Sequence, residues 1–446
     1  MTHTADDIQR LVAEQQVEFI NLQFTDILGM VKNVTIPVAQ LTDCLDHGVW
    51  FDGSSIEGLS RVRIAERDMY LAPDLDTFAI VPWNSEGGIV TARLICDAYT
   101  PDGKPFAGDP RVILKRVLGE AAQLGFDYLV SPEIEFFLFR AAEDGKPSLV
   151  PHDLAGYFDV STDMATQVRR RIVQALGAFG IETEATHHEV AISQHEVDLK
   201  HVPALRAADQ VVTFRTTVKA VAQQHKLYAT MMPKPLNGVD GSGMHTHQSL
   251  RRVGSGENAF YDGNDTYGLS PTARHFIAGL LAHARGMIAV LAPLVNSYKR
   301  LVPGFEAPVY LTWGRTNRSA LVRVPRIYSS RPQTTRVELR CPDPSCNPYL
   351  AFAVMLKAGL DGIKRELPLP EPAEEDLFQV DPRAFQLETL PRSLGEALAA
   401  LQQDDLIAEA LGPQIMERFV EAKLHEWNDY NSVVSEWERE RYLPMY

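Results

Sequence analysis

The chain has 446 residues, 45% hydrophobic and 23% charged, and its formal net charge of −15 argues against a general nucleic-acid binder and against a partner of anionic membrane surfaces. That length suffices for a large core and more than one domain. No apolar run approaches membrane-spanning length, Met1–Asp7 lacks the basic start and apolar block of a secretory leader, and Cys44, Cys96, Cys341 and Cys346 are too few and scattered for a disulfide framework or a zinc site, so free thiols in a reducing cytoplasm are expected.

Residues 6–14 carry the spacing of a short amphipathic helix. Strands are predicted from Val17 to Phe24 and from Met30 to Ile36, joined at Asp26-Ile-Leu-Gly29, and Phe51-Asp-Gly-Ser-Ser-Ile56 reads as a turn-rich loop. A further strand runs from Gly88 to Ala98, and the Pro/Gly cluster between Pro101 and Pro110 closes a small β-rich unit. The predicted partition is an N-terminal domain over 1–105 and a larger domain mixing strands and helices over 106–446. In the second domain, Asp109-Pro110 starts a helix to about Leu124, Thr162 to Phe179 is helical with Gly180 as its stop, and Leu205 to Gln224 is helical again. A strand from Leu227 to Met232 follows, then one long apolar helix from Ser270-Pro271 to Leu291 and another from Tyr349 to Lys364. Residues 367–393 read as a surface connection and the charged tail over 413–440 as helix.

The most informative stretch is Ser131-Pro-Glu-Ile-Glu-Phe-Phe-Leu-Phe139, a strand apolar almost throughout after Pro132. Glu133 and Glu135 lie two positions apart and project from one face. Buried side by side they repel and lose hydration unless a cation or strong donors meet them. Two readings stand: a site for a hard metal ion, or a strand opening at a rim with both carboxylates in water. His187-His-Glu189 and Gln194-His-Glu196 add carboxylates seven residues apart. In Gly241-Ser-Gly-Met-His-Thr-His-Gln-Ser249, two glycines let backbone approach a ligand and His245 and His247 point the same way if extended. Arg336, Glu338 and Arg340 alternate cation, anion, cation, which fits either a salt-bridged face or a metal carboxylate between anion clamps. Upstream sit Lys299, Arg300, Arg315, Arg318, Arg323 and Arg326, an arginine supply suited to a phosphorylated, metal-bound substrate. Glutamate oxygens with one imidazole suit Mg²⁺ or Mn²⁺ rather than zinc.

Taken with Asn296-Ser-Tyr-Lys-Arg-Leu-Val-Pro-Gly-Phe-Glu-Ala-Pro308 and Asn317-Arg-Ser319, these motifs resemble the type I glutamine synthetase family over essentially the whole length, in the family's order and at near-family spacing. The resemblance implies an α+β fold: a small N-terminal β-grasp-like domain plus a large C-terminal domain with a mainly antiparallel sheet flanked by helices. It implies an ATP-dependent ligase that forms glutamine from glutamate and ammonia through a γ-glutamyl phosphate. It also implies two to three Mg²⁺ (or Mn²⁺) per active site, with Glu135, Glu189 and Glu196 matching the ligands of one ion and Glu133, His245 and Glu338 those of another. Glu184, His247, Ser249 and Arg336 match nucleotide-binding positions, with Arg318 and Arg323 near the transferred phosphate. Gly241, Arg300 and Arg340 match the groups that hold glutamate, Asp52, Tyr157 and Glu189 the ammonium pocket, and Glu306 a lid that also touches glutamate. Asp52 is the expected proton acceptor from ammonium. A cytoplasmic homo-oligomer is implied, a dodecamer of two hexameric rings with Asp52 closing a neighbour's site.

Three positions depart from the family pattern. Asp240 stands where glutamine-forming members usually have asparagine, which keeps open a γ-glutamyl–amine ligase using a polyamine or ethanolamine acceptor. His201 stands where an aromatic ring often stacks on adenine. Phe378 stands where some relatives carry a tyrosine modified by adenylylation, so that control is chemically impossible here, as in the shorter subtype. The terminus Tyr442-Leu-Pro-Met-Tyr446 is apolar and calls for cover, either on another subunit or on its own domain.

Overall fold

The computed structural model describes residues 3–53, 68–83, 88–142, 146, 148–305, 307–374 and 388–446. The N-terminal part begins with α1 (Ala5–Glu14), capped by Thr4 and burying Ile8 and Val12, one turn apart on one face. A hairpin of β1 (Phe19–Thr25) and β2 (Val31–Pro37) follows, then α2 (Leu41–His47), β3 (Val49–Asp52), β4 (Asp68–Ile80) and β5 (Thr91–Tyr99). These strands form a sheet of order β2-β1-β5-β4-β3, antiparallel except for the β1–β5 pair. The sequence reading missed α2, β3 and β4. β3 has only four residues, and β4 carries Pro73 with Asp68, Asp74 and Asp76, a composition that reads as loop. The hairpin turn docks on the second domain: Asp26 Oδ1 accepts the Leu28 and Met30 N–H groups, while Asn347 Nδ2 donates to the Asp26 carbonyl at 3.0 Å.

The second part runs α3 (Pro110–Gln123), β6 (Phe126–Arg140), α4 (Thr166–Ala178), β7 (Thr183–His188), β8 (Gln194–Leu199), β9 (Val202–Pro203), α5 (Ala204–Gln224), β10 (Leu227–Thr230) and β11 (Met244–Arg252). It continues through α6 (Pro271–Ala282), α7 (Ala284–Leu291), α8 (Ser297–Arg300), β12 (Tyr310–Gly314), β13 (Ala320–Arg323), β14 (Val337–Leu339), α9 (Pro348–Lys364), α10 (Leu394–Leu401), α11 (Asp405–Ser432) and α12 (Glu436–Tyr442). The sheet path is β12-β13-β14-β11-β6-β8-β7, with β9 and β10 also on β6, and only β12 and β13 run parallel. The fold is therefore α+β, with a small N-terminal sheet domain and a mainly antiparallel catalytic sheet flanked by helices. α9 is buried almost all round and forms the centre of the core behind the sheet, packed by α3 and α6.

Helix boundaries differ from expectation at three places. The predicted helix to Leu291 is two helices broken at His283, whose ring is held by Asp404 at 2.8 Å and Asp361 at 3.1 Å. α4 starts at Thr166 rather than Thr162, because Asp163 turns to bond the Ala165 N–H and the Arg169 guanidinium. The tail helix begins at Asp405, bends at Gly412-Pro413, and gives way after Ser432 to the short α12. Trp437, Leu443, Met445 and Tyr446 are exposed on that terminus, so it does not pack on its own domain.

Candidate active site

The two glutamates of β6 share a face as their alternation requires, and register supplies their neighbours. Against β8, Glu133 lies opposite Asp198 and Glu135 opposite Glu196; against β11, Glu133 lies opposite His245. Next, His247 lies opposite Glu338 of β14, and Glu338 opposite Arg323 of β13. On the far side His187 of β7 lies opposite Glu196. Like charges directly opposite each other destabilise a sheet, so this face is strained unless cations meet it. The open-rim reading fails for Glu135, which is buried, as is Glu196 opposite it.

Two ligand-type clusters sit on this face. The donor atoms of Glu133, His245 and Glu338 lie within 4.8 Å of one another, as do those of His187, Glu189 and Glu196. His245 Nδ1 is 3.4 Å from Glu133 Oε2 and 3.7 Å from Glu338 Oε1. Its Nε2 is buried without a hydrogen-bond partner among the described residues, 4.0 Å from Glu135 Oε1. Burial, reinforced by Arg340, pulls His245 down to about 4 and keeps its imidazole neutral. Glu338 is fully buried between Arg340 Nη1 at 2.6 Å and Arg323 Nη1 at 2.9 Å; burial pushes against its charge, but those cations and the histidines hold its carboxyl low. Glu135 lies between the clusters and accepts from Gln194 Nε2 and the Gly243 N–H, both at 2.9 Å. Burial pushes Glu135 up to about 7 against the pull of Arg300, and raises Glu196 well above the carboxylate range with help from Glu135 and Asp198. Glu133 goes the other way: hydrogen bonds from His245 and His247 outweigh its burial. Crowded carboxylate oxygens and one neutral imidazole with an unpartnered nitrogen fit hard divalent cations.

Two residues of this face escaped the sequence reading. His187 Nε2 is 3.1 Å from Glu196 Oε1, and Asp198 faces Glu133 and is pushed up to about 6 by burial and by Glu133. The signal was present in both cases. His187 and Glu189, and Glu196 and Asp198, are spaced by two, as Glu133 and Glu135 are.

Two cavities open from the sheet face. One, of about 200 Å³, is lined by Glu184, His201, His247, Ser249 and Arg336. The other, of about 240 Å³, is lined by Tyr157, Glu189, Asp240, Gly241, Arg318 and Arg340, with Glu135, Glu196 and Arg323. Both reach Glu133 and Asp198, so they meet there. Arg336 Nε donates to His247 Nδ1 at 3.3 Å, so His247 carries its proton on Nε2, 2.6 Å from Glu133 Oε1. The Gly241-Ser-Gly243 backbone lies too close to its surroundings for side chains: a Cβ on Gly241 would meet the Pro233 carbonyl at 2.3 Å, and one on Gly243 the Arg300 guanidinium at 2.4 Å. Tyr157 is partly exposed, with His187 edge-on to its ring.

Two expected site residues lie elsewhere. Arg300 lines neither cavity; it is buried behind the glycine loop, and its guanidinium donates to the carbonyls of Arg340, Cys341 and Pro342. Asp52 ends the exposed edge strand β3 of the N-terminal sheet and lines neither cavity. Glu306 lies outside the described residues, as do Phe378 and the Ser54–Ile56 end of the first loop motif.

The family model described as "Glutamine synthetase, catalytic domain" matches residues 107–442, and that described as "Glutamine synthetase, beta-Grasp domain" matches 16–101. Proteins named "Glutamine synthetase" from Staphylococcus aureus and from Thermus thermophilus are each 51% identical, covering 100% of this chain and 99% or 100% of theirs. A solved structure described as "GmaS/ADP complex" is similar at TM-score 0.89 and 35% identity, over 100% of both chains. The "Plasmodium falciparum glutamine synthetase" structure is similar at TM-score 0.86 and 26% identity, over 99% of both.

Proposed function

The chain belongs to the glutamine synthetase family and joins ammonia to glutamate with consumption of ATP, a metal-dependent reaction, and we propose that the two joined cavities divide that reaction between them. The meeting of the cavities at Glu133 and Asp198 carries this reading. ATP occupies the cavity of Glu184, His247, Ser249 and Arg336, with His201 against the base. Glutamate occupies the other, its charge met by Arg340 and its backbone approach permitted by Gly241, while Arg300 holds the Arg340–Pro342 segment from behind.

A carboxylate is a poor acyl donor because its leaving group would be oxide, so ATP first converts it to γ-glutamyl phosphate. Phosphoryl transfer depends on positioning and electrostatics. Arg318 and Arg323 of the second cavity spread the charge of the moving phosphoryl group. Glu133, His245 and Glu338 would hold one divalent cation and Glu135, Glu189 and Glu196 a second, with His187 beside it; Mg²⁺ or Mn²⁺ suits this donor set. Such cations, when bound, neutralise phosphate charge. Tyr157 and Glu189 of the same cavity bind ammonium, and Glu306, by resemblance alone, covers it against water.

Asp52 is the proposed proton acceptor from ammonium. Its exposed position on β3 supports a homo-oligomer in which that edge lies against another subunit's cavity. The uncovered apolar terminus, with Leu443 and Tyr446 exposed, supports the same assembly, a dodecamer of two rings. Four buried free thiols accord with the cytoplasm. Phosphate release from ATP and glutamate, with acceptors varied, tests the scheme. Release should depend on ammonium. Turnover with putrescine or ethanolamine in its place would instead assign Asp240 to a cationic amine and end the ammonium role of Tyr157 and Glu189. A monomer in light scattering would contradict the shared site.

A further inference from the structure

The N-terminal sheet and the catalytic domain meet over a cavity of about 510 Å³ that the reaction above does not use. β5 contributes Arg93 and Ile95 to its wall, α5 contributes Asp209, Gln210 and Thr213, and Phe179 caps α4 beside them. Most charges on this wall are matched. Arg111 Nε and Nη2 each reach an Asp209 oxygen at 3.0 Å, and Nη2 also reaches Asp74 at 2.6 Å. Asp76 accepts the His3 N–H at 2.7 Å.

Arg93 is different. It is 6% exposed, and its one hydrogen bond among the described residues goes to a neutral group, the Thr213 hydroxyl, at 2.9 Å. The Phe179 ring centroid lies 5.0 Å from its guanidinium carbon. Among the described residues Nε has no hydrogen-bond partner and no carboxylate stands at ion-pair distance. Burial draws this guanidinium down to about 10 despite the attraction of Asp209, which leaves it charged at neutral pH. Gln210, 5% exposed on the same wall, has a buried Oε1 with no donor among the described residues. A desolvated cation with no carboxylate at ion-pair distance and an acceptor without a donor are both unfavourable unless something occupies the space between them.

We infer that this cavity binds a small anion that also carries an N–H or O–H group, its carboxylate or phosphate on Arg93 and its donor on Gln210 Oε1. Because Arg93 and Gln210 belong to different domains, the ligand ties the N-terminal sheet to α5. Isothermal titration of the full-length protein tests this, with the catalytic cavities filled by a non-hydrolysable ATP analogue, Mg²⁺ and glutamate. The probes are malate and glycerol 3-phosphate, which share an anionic group and a hydroxyl. Saturable binding of at least one is expected, weakened about tenfold or more in Arg93→Met and in Gln210→Leu, with glutamine formation by the unliganded variants unchanged. Malate alone would mark a carboxylate ligand and glycerol 3-phosphate alone a phosphorylated one. No saturable binding of either probe, or affinity unchanged in Arg93→Met, overturns the inference; should that variant not fold, Gln210→Leu decides by the same criterion.

Discussion

Two of the places where this molecule buries charge are built oppositely. At the domain junction, Arg111 reaches Asp74, Asp97 and Asp209, Lys115 also meets Asp97, and the Tyr349 hydroxyl donates to Asp209. Each of these three carboxylates has a cation of the protein itself. On the catalytic sheet face, Glu133, Glu135, Glu196 and Asp198 stand opposite one another, and much of the nearby arginine charge, from Arg323 and Arg340, is spent on Glu338. The first arrangement is complete and holds two domains together. The second lacks cations of the protein itself, the deficit expected of the proposed metal site rather than of a structural network.

The comparison breaks most severely at Arg111. Arg111→Met strands Asp74 and Asp209 and leaves Asp97 to Lys115 alone, and should cost about 3–5 kcal/mol, read from urea midpoints, while turnover per folded molecule changes little. Glu135→Gln should do the reverse. Turnover should fall by about 100-fold or more, whereas the chelated protein at pH 8 should not lose thermal stability. There Glu135, pushed up to about 7, is ionised against its neighbours, and the amide removes that repulsion.

Added cation sharpens the contrast further. Glu135 and Glu196 have folded values above the unfolded value of about 4.3, so the chelated protein loses stability as pH climbs above that value and toward 7. Cation binding must displace those protons at low pH. Mn²⁺ added to chelated enzyme should therefore raise the melting temperature more at pH 8 than at pH 6, while the Arg111 network, already matched, contributes no such response. The smallest effect belongs to His283, where hydrogen bonds to Asp404 and Asp361 outweigh burial and raise the imidazole. A raised histidine stabilises fully below its unfolded value of about 6.5 and loses that contribution as pH rises through the folded value. The stability gap between wild type and His283→Gln should thus shrink from pH 6 to pH 9 in denaturant titrations.

Much of the site was legible because its signals are local. Glu133 and Glu135, His245 and His247, and Glu338 between Arg336 and Arg340 each declare a face by alternation. His187 and Asp198 carried the same spacing and were passed over, since a single polar residue two places from another is common in any exposed strand. β3 and β4 were illegible for a different reason: a short edge strand and an aspartate- and proline-bearing one are held by partners rather than by propensity. The break at His283 was likewise invisible, since Asp361 and Asp404 lie 78 and 121 residues away.

By itself the sequence determined which chemistry is present: carboxylates and imidazoles paired at period two, arginines in supply, glycines where backbone must come close, and an unbroken run of family motifs. Only the tertiary structure decided what meets what. It set Glu196 against Glu135, stationed Arg300 behind the glycine loop instead of in the cleft, left Asp52 on an outer edge, and joined two cavities at Glu133. The physical reason is that side-chain direction follows from local backbone geometry, whereas strand register and domain contact are settled by burial summed over residues far apart in the chain.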